Sequence, residues 1–173
     1  IVMGTTGWND QMDEVKKIVE ENGIGFIYGS NFSIGVNVFF KMIENAAKIM
    51  DKVDDYDVYG HEFHHNQKLD SPSGTAKSMA NILLDNMSRK NTLVTDVVNR
   101  KIEPNELHFS STRVGNIPGT HSIGFDSTAD TIELKHTARN RSGFALGAVM
   151  AAEWIQNKKG FFSVEDMMND VLK

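Results

Sequence analysis

The sequence contains no cysteine. Disulfides, thiolate catalysis and Cys-ligated zinc are therefore excluded, which fits a cytoplasmic protein. No apolar run approaches the roughly 18 residues of a membrane-crossing helix, so no membrane span is expected. The opening Ile1-Val2-Met3-Gly4 has neither the charged n-region nor the cleavage site of a secretory leader, and no signal peptide is expected. It also lacks an initiating methionine and reads as a β-strand that continues from a longer chain. Positive charge is in the minority: 18 Lys and Arg against 23 Asp and Glu give a net charge of −5. Bulk electrostatics thus supply no reason to expect nucleic acid or an anionic membrane as a partner. An acidic ligand would need local positive charge, which the region around Lys68 could supply. Internal repeats and low-complexity segments are absent too. There remain 173 residues, 40% hydrophobic and 24% charged, an ordinary globular balance with room for one large or two small domains.

Periodicity divides the chain into a strand–helix–strand–helix opening and a second region richer in strands. Ile1 to Met3 reads as a short buried strand ending at the turn Gly4-Thr5-Thr6-Gly7. Asp10 to Asn22 reads as an amphipathic helix, with Met12, Val15, Ile18 and Val19 on one face and Asn22-Gly23 as its stop. Gly25 to Tyr28 is a second strand, followed by Gly29-Ser30-Asn31. Ser33 to Met50 reads as a helix apolar on nearly all faces, hence one buried in a larger body or subunit contact. This is the rhythm of a doubly wound parallel sheet; two strands alone would not stabilise such a sheet, so further strands are implied. Beyond Tyr56, Asp57 to Phe63 reads as a strand and Ser73 to Met87 as a helix capped by Ser73. Ser88 to Asn105 is polar and mixed, and a flexible connection is expected. Glu106 to Val114, Thr120 to Ser127 and Thr131 to Ala138 read as three strands of an antiparallel meander. Helices from Gly143 to Asn157 and from Val164 to Leu172 follow.

Chemistry concentrates between Glu62 and Ala76. Two adjacent histidines, His64 and His65, precede Lys68, Asp70 and the group Pro72-Ser73-Gly74-Thr75. Imidazoles move protons near neutral pH, a lysine ammonium can hold a carboxylate, and a helix start offers free N–H groups to an anion. Gly74 leaves no side chain between such a ligand and the backbone. The combination describes a site for a small acidic substrate that is protonated during reaction. Strand alternation sends His64 and His65 to opposite faces unless the strand has ended between them. A competing reading is a metal site built from His61, Glu62, His64 and His65; the same alternation splits these side chains.

The run His64-His65-Asn66-Gln67-Lys68-Leu69-Asp70-Ser71-Pro72-Ser73-Gly74-Thr75-Ala76 resembles the H-H-x-x-K-x-D-[AS]-P-S-G-T-A signature of the 4-hydroxy-tetrahydrodipicolinate reductase family of bacterial lysine and diaminopimelate biosynthesis. Supporting matches are Gly4-Thr5-Thr6-Gly7, Asn31-Phe32-Ser33 with Gly35-Val36-Asn37, and Arg141 with Phe144 and Gly147-Ala148. The resemblance implies an α/β chain: the carboxyl-terminal part of a doubly wound Rossmann-type domain plus an α+β substrate and oligomerisation domain with a mixed, largely antiparallel sheet. It implies domains at 1–34, 35–148 and 149–173, the last returning to the nucleotide domain. It implies NADPH or NADH as cofactor, a dicarboxylate substrate and a homotetramer assembled through the sheets. His64 is implied as proton donor and Lys68 as its catalytic companion, with His65, Ser73, Gly74 and Thr75 on the substrate. Gly4, Thr5, Thr6, Gly7, Ser30, Asn31, Phe32 and Arg141 are implied on the cofactor side; Asp70 is given no chemistry. The family's opening βαβ unit with its G-x-x-G-x-x-G phosphate turn has no counterpart here. Two other readings stand beside this one: a related amino-acid-type dehydrogenase, and a non-catalytic fragment that folds, oligomerises and binds dicarboxylate without holding cofactor.

Overall fold

The computed structural model describes residues 1–5 and 7–172. Its elements run β1 (Val2–Met3), a 3-10 turn (Asn9–Gln11), α1 (Met12–Asn22), β2 (Gly25–Tyr28), α2 (Ile34–Met50), β3 (Asp57–His64), α3 (Gly74–Asn86), β4 (Thr92–Val94), β5 (Glu106–Arg113), β6 (Thr120–Asp126), β7 (Thr131–Thr137), α4 (Ser142–Trp154), β8 (Gly160–Ser163) and α5 (Val164–Val171). Two compact units emerge, one from residues 1–38 and 141–173, the other from residues 39–140. Helix α2 crosses the boundary between them.

The first unit holds a three-stranded parallel sheet in the order β1-β2-β8. The third strand, Gly160–Ser163, was not expected: its partner β2 lies far away in sequence. The core here gathers Ile27, Phe32, Ala151, Ile155, Val164, Met167 and Met168. Helix α4 approaches the turn after β2 so closely that a Cβ on Gly147 would stand 1.6 Å from the Phe32 carbonyl oxygen. Helix α1 ends as its sequence predicts, with Gly23 in the left-handed conformation (φ 59°).

The second unit is a five-stranded mixed sheet in the order β4-β5-β3-β6-β7. The expected mixed sheet is present, and the last two strands of the expected meander pair antiparallel, but β5 and β6 do not pair with each other. β5 pairs parallel with β3, and β6 pairs antiparallel with β3 and β7, so β3 lies between two strands that follow each other in sequence. One face of this sheet packs against the second half of α2 and against α3, enclosing Phe39, Ile43, Met79, Leu83, Leu107, Phe109, Ile123 and Phe125. The segment 88–105, expected to be a flexible connection, is tied down instead. It contains β4, paired with β5. Lys90, 2% exposed, donates to the carbonyls of Pro104 (2.9 Å) and Glu106 (2.7 Å) and pairs with Asp57 at 2.6 Å. Arg100 grips Glu106 with two hydrogen bonds of 2.8 and 2.6 Å. The Lys90 anchors span 14 and 16 positions to Pro104 and Glu106 and are invisible to local propensity. Among the described residues no helix is long and apolar enough to cross a membrane.

Candidate active site

Residues Val58, Gly60, Glu62 and His64 alternate onto the helix-covered face of β3, while Tyr59, His61 and Phe63 face the other way. The face begins apolar and turns polar toward its carboxyl end. Register then assembles a cluster: Glu62 lies opposite Ser111 on β5 and His121 on β6, and His64 lies opposite Arg113. The strand ends at His64, which resolves the question of the paired histidines. His64 is buried (7% exposed), and His65 lies beyond the strand, half-buried.

Glu62 is fully buried. Its Oε1 accepts from the Ser73 amide (2.9 Å), Ser111 Oγ (2.8 Å) and Arg113 Nη2 (2.9 Å). Its Oε2 accepts from Ser73 Oγ and faces His64 Nδ1 at 3.3 Å and His121 Nε2 at 3.4 Å. Burial by itself would raise the Glu62 pKa, but the hydrogen bonds from His121, Ser73 and Arg113 outweigh it and hold the carboxyl well below the carboxylate range. His64 moves the other way for a base: burial, the largest influence, brings its pKa down to about 4, with Glu62 opposing and His121, Lys68 and Arg113 assisting.

Ser73 caps α3 as its sequence predicts, its Oγ accepting from the Ala76 amide at 3.1 Å. Gly74, the first residue of the helix, is exposed, and an added Cβ would meet nothing within 4 Å. Thr75 is half-buried beside it. Lys68 pairs with Asp70 at 2.7 Å, and Arg113 Nη2 donates to the Asp70 carbonyl at 2.7 Å. Asp70 thereby ties the loop to Lys68 and Arg113. Glu62, His64 and His121 bring potential metal-binding atoms within 4.8 Å of one another. The Arg113 guanidinium and three hydroxyl or amide donors already occupy the Glu62 oxygens, and we read no metal centre there. His61 is turned to the opposite face, 2.5 Å from Ser110 Oγ.

The residues expected on the cofactor side lie in the first unit. Gly4, Thr5 and Gly7 follow β1, with Gly7 at φ 89°; Thr6 lies outside the described residues. Ser30, Asn31 and Phe32 follow β2. Asn31 Oδ1 accepts from the Ser33 amide at 2.9 Å, shaping the turn. Phe32 is 5% exposed, its ring in the core and its carbonyl packed against Gly147. Arg141 is exposed at the start of α4. Sequence reasoning gave Glu62 only a place among metal ligands and missed Arg113 and His121. The available signal was the shared face of Glu62 and His64 two residues apart on a strand.

A parallel-sheet unit and a mixed-sheet unit, the latter with a buried imidazole and an open helix start joined by one carboxylate, define a two-unit α/β protein. A family model described as dihydrodipicolinate reductase, C-terminus, matches residues 35–168. The 4-hydroxy-tetrahydrodipicolinate reductase of Christiangramia forsetii is 43% identical over 173 residues, which is all of this chain and 71% of that protein. That of Buchnera aphidicola subsp. Schizaphis graminum is 37% identical, over 98% of this chain and 63% of that protein. A dipicolinate-bound dihydrodipicolinate reductase from Paenisporosarcina sp. TG-14 superimposes with a TM-score of 0.73 at 25% identity, covering 96% of this chain and 63% of that one. The chain belongs to the 4-hydroxy-tetrahydrodipicolinate reductase family.

Proposed function

We propose that this chain carries the dicarboxylate site and the proton donor of an NADPH- or NADH-dependent reduction of 4-hydroxy-tetrahydrodipicolinate to tetrahydrodipicolinate. The observation that carries the reading is the single network linking His64 to the first turn of α3: His64 Nδ1 to Glu62 Oε2 (3.3 Å), and Glu62 Oε1 to the Ser73 amide (2.9 Å). One substrate carboxylate is received by the amides of Gly74 and Thr75 at the positive end of α3, an arrangement worth about 0.3–1 kcal/mol before specific hydrogen bonds. Lys68 exchanges Asp70 for a substrate carboxylate, with His65 at the rim. The nearby anion raises the His64 pKa from about 4 toward working pH, so the ring gains its proton as substrate binds and delivers it during reduction.

The first unit fits one end of a nicotinamide dinucleotide. Gly4, Thr5, Gly7, Ser30, Asn31 and Phe32 stand at the carboxyl ends of parallel strands, where open α/β sheets take ligands. Arg141, at the start of α4 in the same unit, supplies the charge there. The cofactor supplies the hydride; these residues bind and orient it. Assembly as a homotetramer and a cytoplasmic setting belong to the same reading.

The test is a calorimetric titration with pyridine-2,6-dicarboxylate, a planar unreactive mimic of the substrate, with and without NADPH. The chain is expected to bind it, to lose binding in a Lys68→Ala, Thr75→Val double variant, and to bind more tightly with NADPH present. Absence of binding by the folded chain, persisting in a full-length protein that contains this sequence, would sink the reading.

A further inference from the structure

The two oxygens of Glu62 have different company. Oε1 serves the scaffold, accepting from Ser73, Ser111 and Arg113. Oε2 accepts from Ser73 Oγ and also faces two imidazole nitrogens, His64 Nδ1 and His121 Nε2. A clasp for the helix start would need only the contacts to Ser73. Burying a full negative charge is costly unless the charge is paired, and an apolar residue here would have continued the core face of Val58 and Gly60.

His64 Nδ1 is buried and makes no aligned hydrogen bond, and Glu62 Oε2 is the acceptor within 3.3 Å of it. The opposite ring nitrogen, Nε2, lies beside Gly119, where an added Cβ would stand 3.0 Å away. Gly119 has φ 155°, within the range that disfavours side chains, so no side chain from that position stands against this edge of the ring.

We propose that Glu62 is the positioning residue for the proton donor: it holds neutral His64 in the tautomer with hydrogen on Nδ1, so that the proton to be delivered is carried on Nε2. Through Ser73, the same carboxylate fixes the helix start that receives the substrate anion. The inference rests on the reading of His64 as donor. The charged and titratable groups facing His64 are Glu62 on its own strand, His121 on β6, Arg113 on β5 and Lys68 in the loop after β3. Of these, only Glu62 favours the protonated ring; burial and the other three oppose it. A carboxylate behind an imidazole both selects its tautomer and stabilises the imidazolium that forms.

The test is nitrogen-15 NMR of histidine-labelled chain at neutral to mildly alkaline pH, with His64 assigned by a His64→Gln variant. The wild-type chain is expected to show His64 with hydrogen on Nδ1. Glu62→Gln is expected to shift the ring toward the Nε2–H tautomer and to lower its titration midpoint. In a full-length protein carrying this sequence, the same substitution is expected to reduce kcat by about 10²–10⁴-fold, with a smaller change in KM. A wild-type ring with hydrogen on Nε2 would overturn the proposal, and this outcome needs no variant to fold. So would a folded Glu62→Gln chain with unchanged tautomer and midpoint, since the carboxylate would then be a clasp and nothing more. An Nδ1–H tautomer with no binding of pyridine-2,6-dicarboxylate would support the Glu62–His64 pairing and overturn the dicarboxylate reading alone.

Discussion

At the scale of single residues, the site couples a buried base to a buried acid, and the coupling has a pH signature. Burial above all brings the His64 pKa to about 4, against an ordinary value of 6.5. Native His64 therefore stays neutral where the unfolded chain already binds a proton. The stability it contributes is complete above about pH 6.5 and is lost as pH falls from there toward 4, by at most about 3 kcal/mol. Glu62 continues the trend. Its pKa is held below the ordinary 4.5, so its contribution is lost as pH drops under that value. Burial likewise lowers His61 and His136, which add to the slope below the ordinary 6.5. Denaturant midpoints measured from pH 8 to 4 are expected to fall more gently in a His64→Gln variant than in the wild-type chain. Equal slopes would show that His64 is not held neutral by burial. At this scale the sequence was half legible. The histidine pair, Lys68 and the Ser73 cap lie within one short stretch and carry their chemistry in their order. Glu62 shares a strand face with His64, but Ser111, Arg113 and His121 reach it through strand register across as many as 59 positions (121 − 62), and no local pattern marks those three.

At the scale of elements, the first turn of α3 bears the most concentrated load. Ser73 Oγ caps the Ala76 amide at 3.1 Å and also donates to the buried Glu62 carboxylate. Ser73→Ala removes both. Loss of an N-cap costs about 1 kcal/mol, and leaving a buried carboxylate one donor short costs about 1–3 kcal/mol. We expect a destabilisation of about 2–4 kcal/mol in urea unfolding, together with weaker binding of pyridine-2,6-dicarboxylate; a loss under about 0.5 kcal/mol would show that the two contacts contribute little. Helices were the legible elements because α1 carries a 3.6-residue periodicity, α2 a long apolar run, and the stop Gly23 and the cap Ser73 mark two of their ends. The short strands β4 and β8 span three and four residues, and each is held by pairing with a strand that local pattern does not reveal as its partner. The strand order escaped for another reason. Their succession in sequence suggested that β5 and β6 pair with each other, whereas β3 lies between them, pairing one in parallel and the other antiparallel.

At the scale of the whole chain, its two units have hydrophobic cores with no residue in common. The proposed residues divide in the same way: His64, His65, Lys68, Ser73, Gly74 and Thr75 belong to the unit of residues 39–140, and Gly4, Thr5, Gly7, Ser30, Asn31, Phe32 and Arg141 to the other. Bulk charge of −5 gave no hint of anion binding; the positive charge is local, from Lys68 and Arg113 beside the start of α3. Units with separate cores are expected to respond separately to damage. Gly147→Val provides the test, because a Cβ at that position would lie 1.6 Å from the Phe32 carbonyl oxygen and must push α4 off the turn that carries Asn31 and Phe32. The variant is expected to destabilise the first unit and to abolish the tightening of dicarboxylate binding by NADPH. Affinity for pyridine-2,6-dicarboxylate measured without NADPH is expected to stay within about twofold of wild type, as for mutations that share no contacts with the site. Loss of that basal affinity would mean that residues 39–140 do not hold the dicarboxylate site by themselves, and that the division of labour between the two cores is wrong.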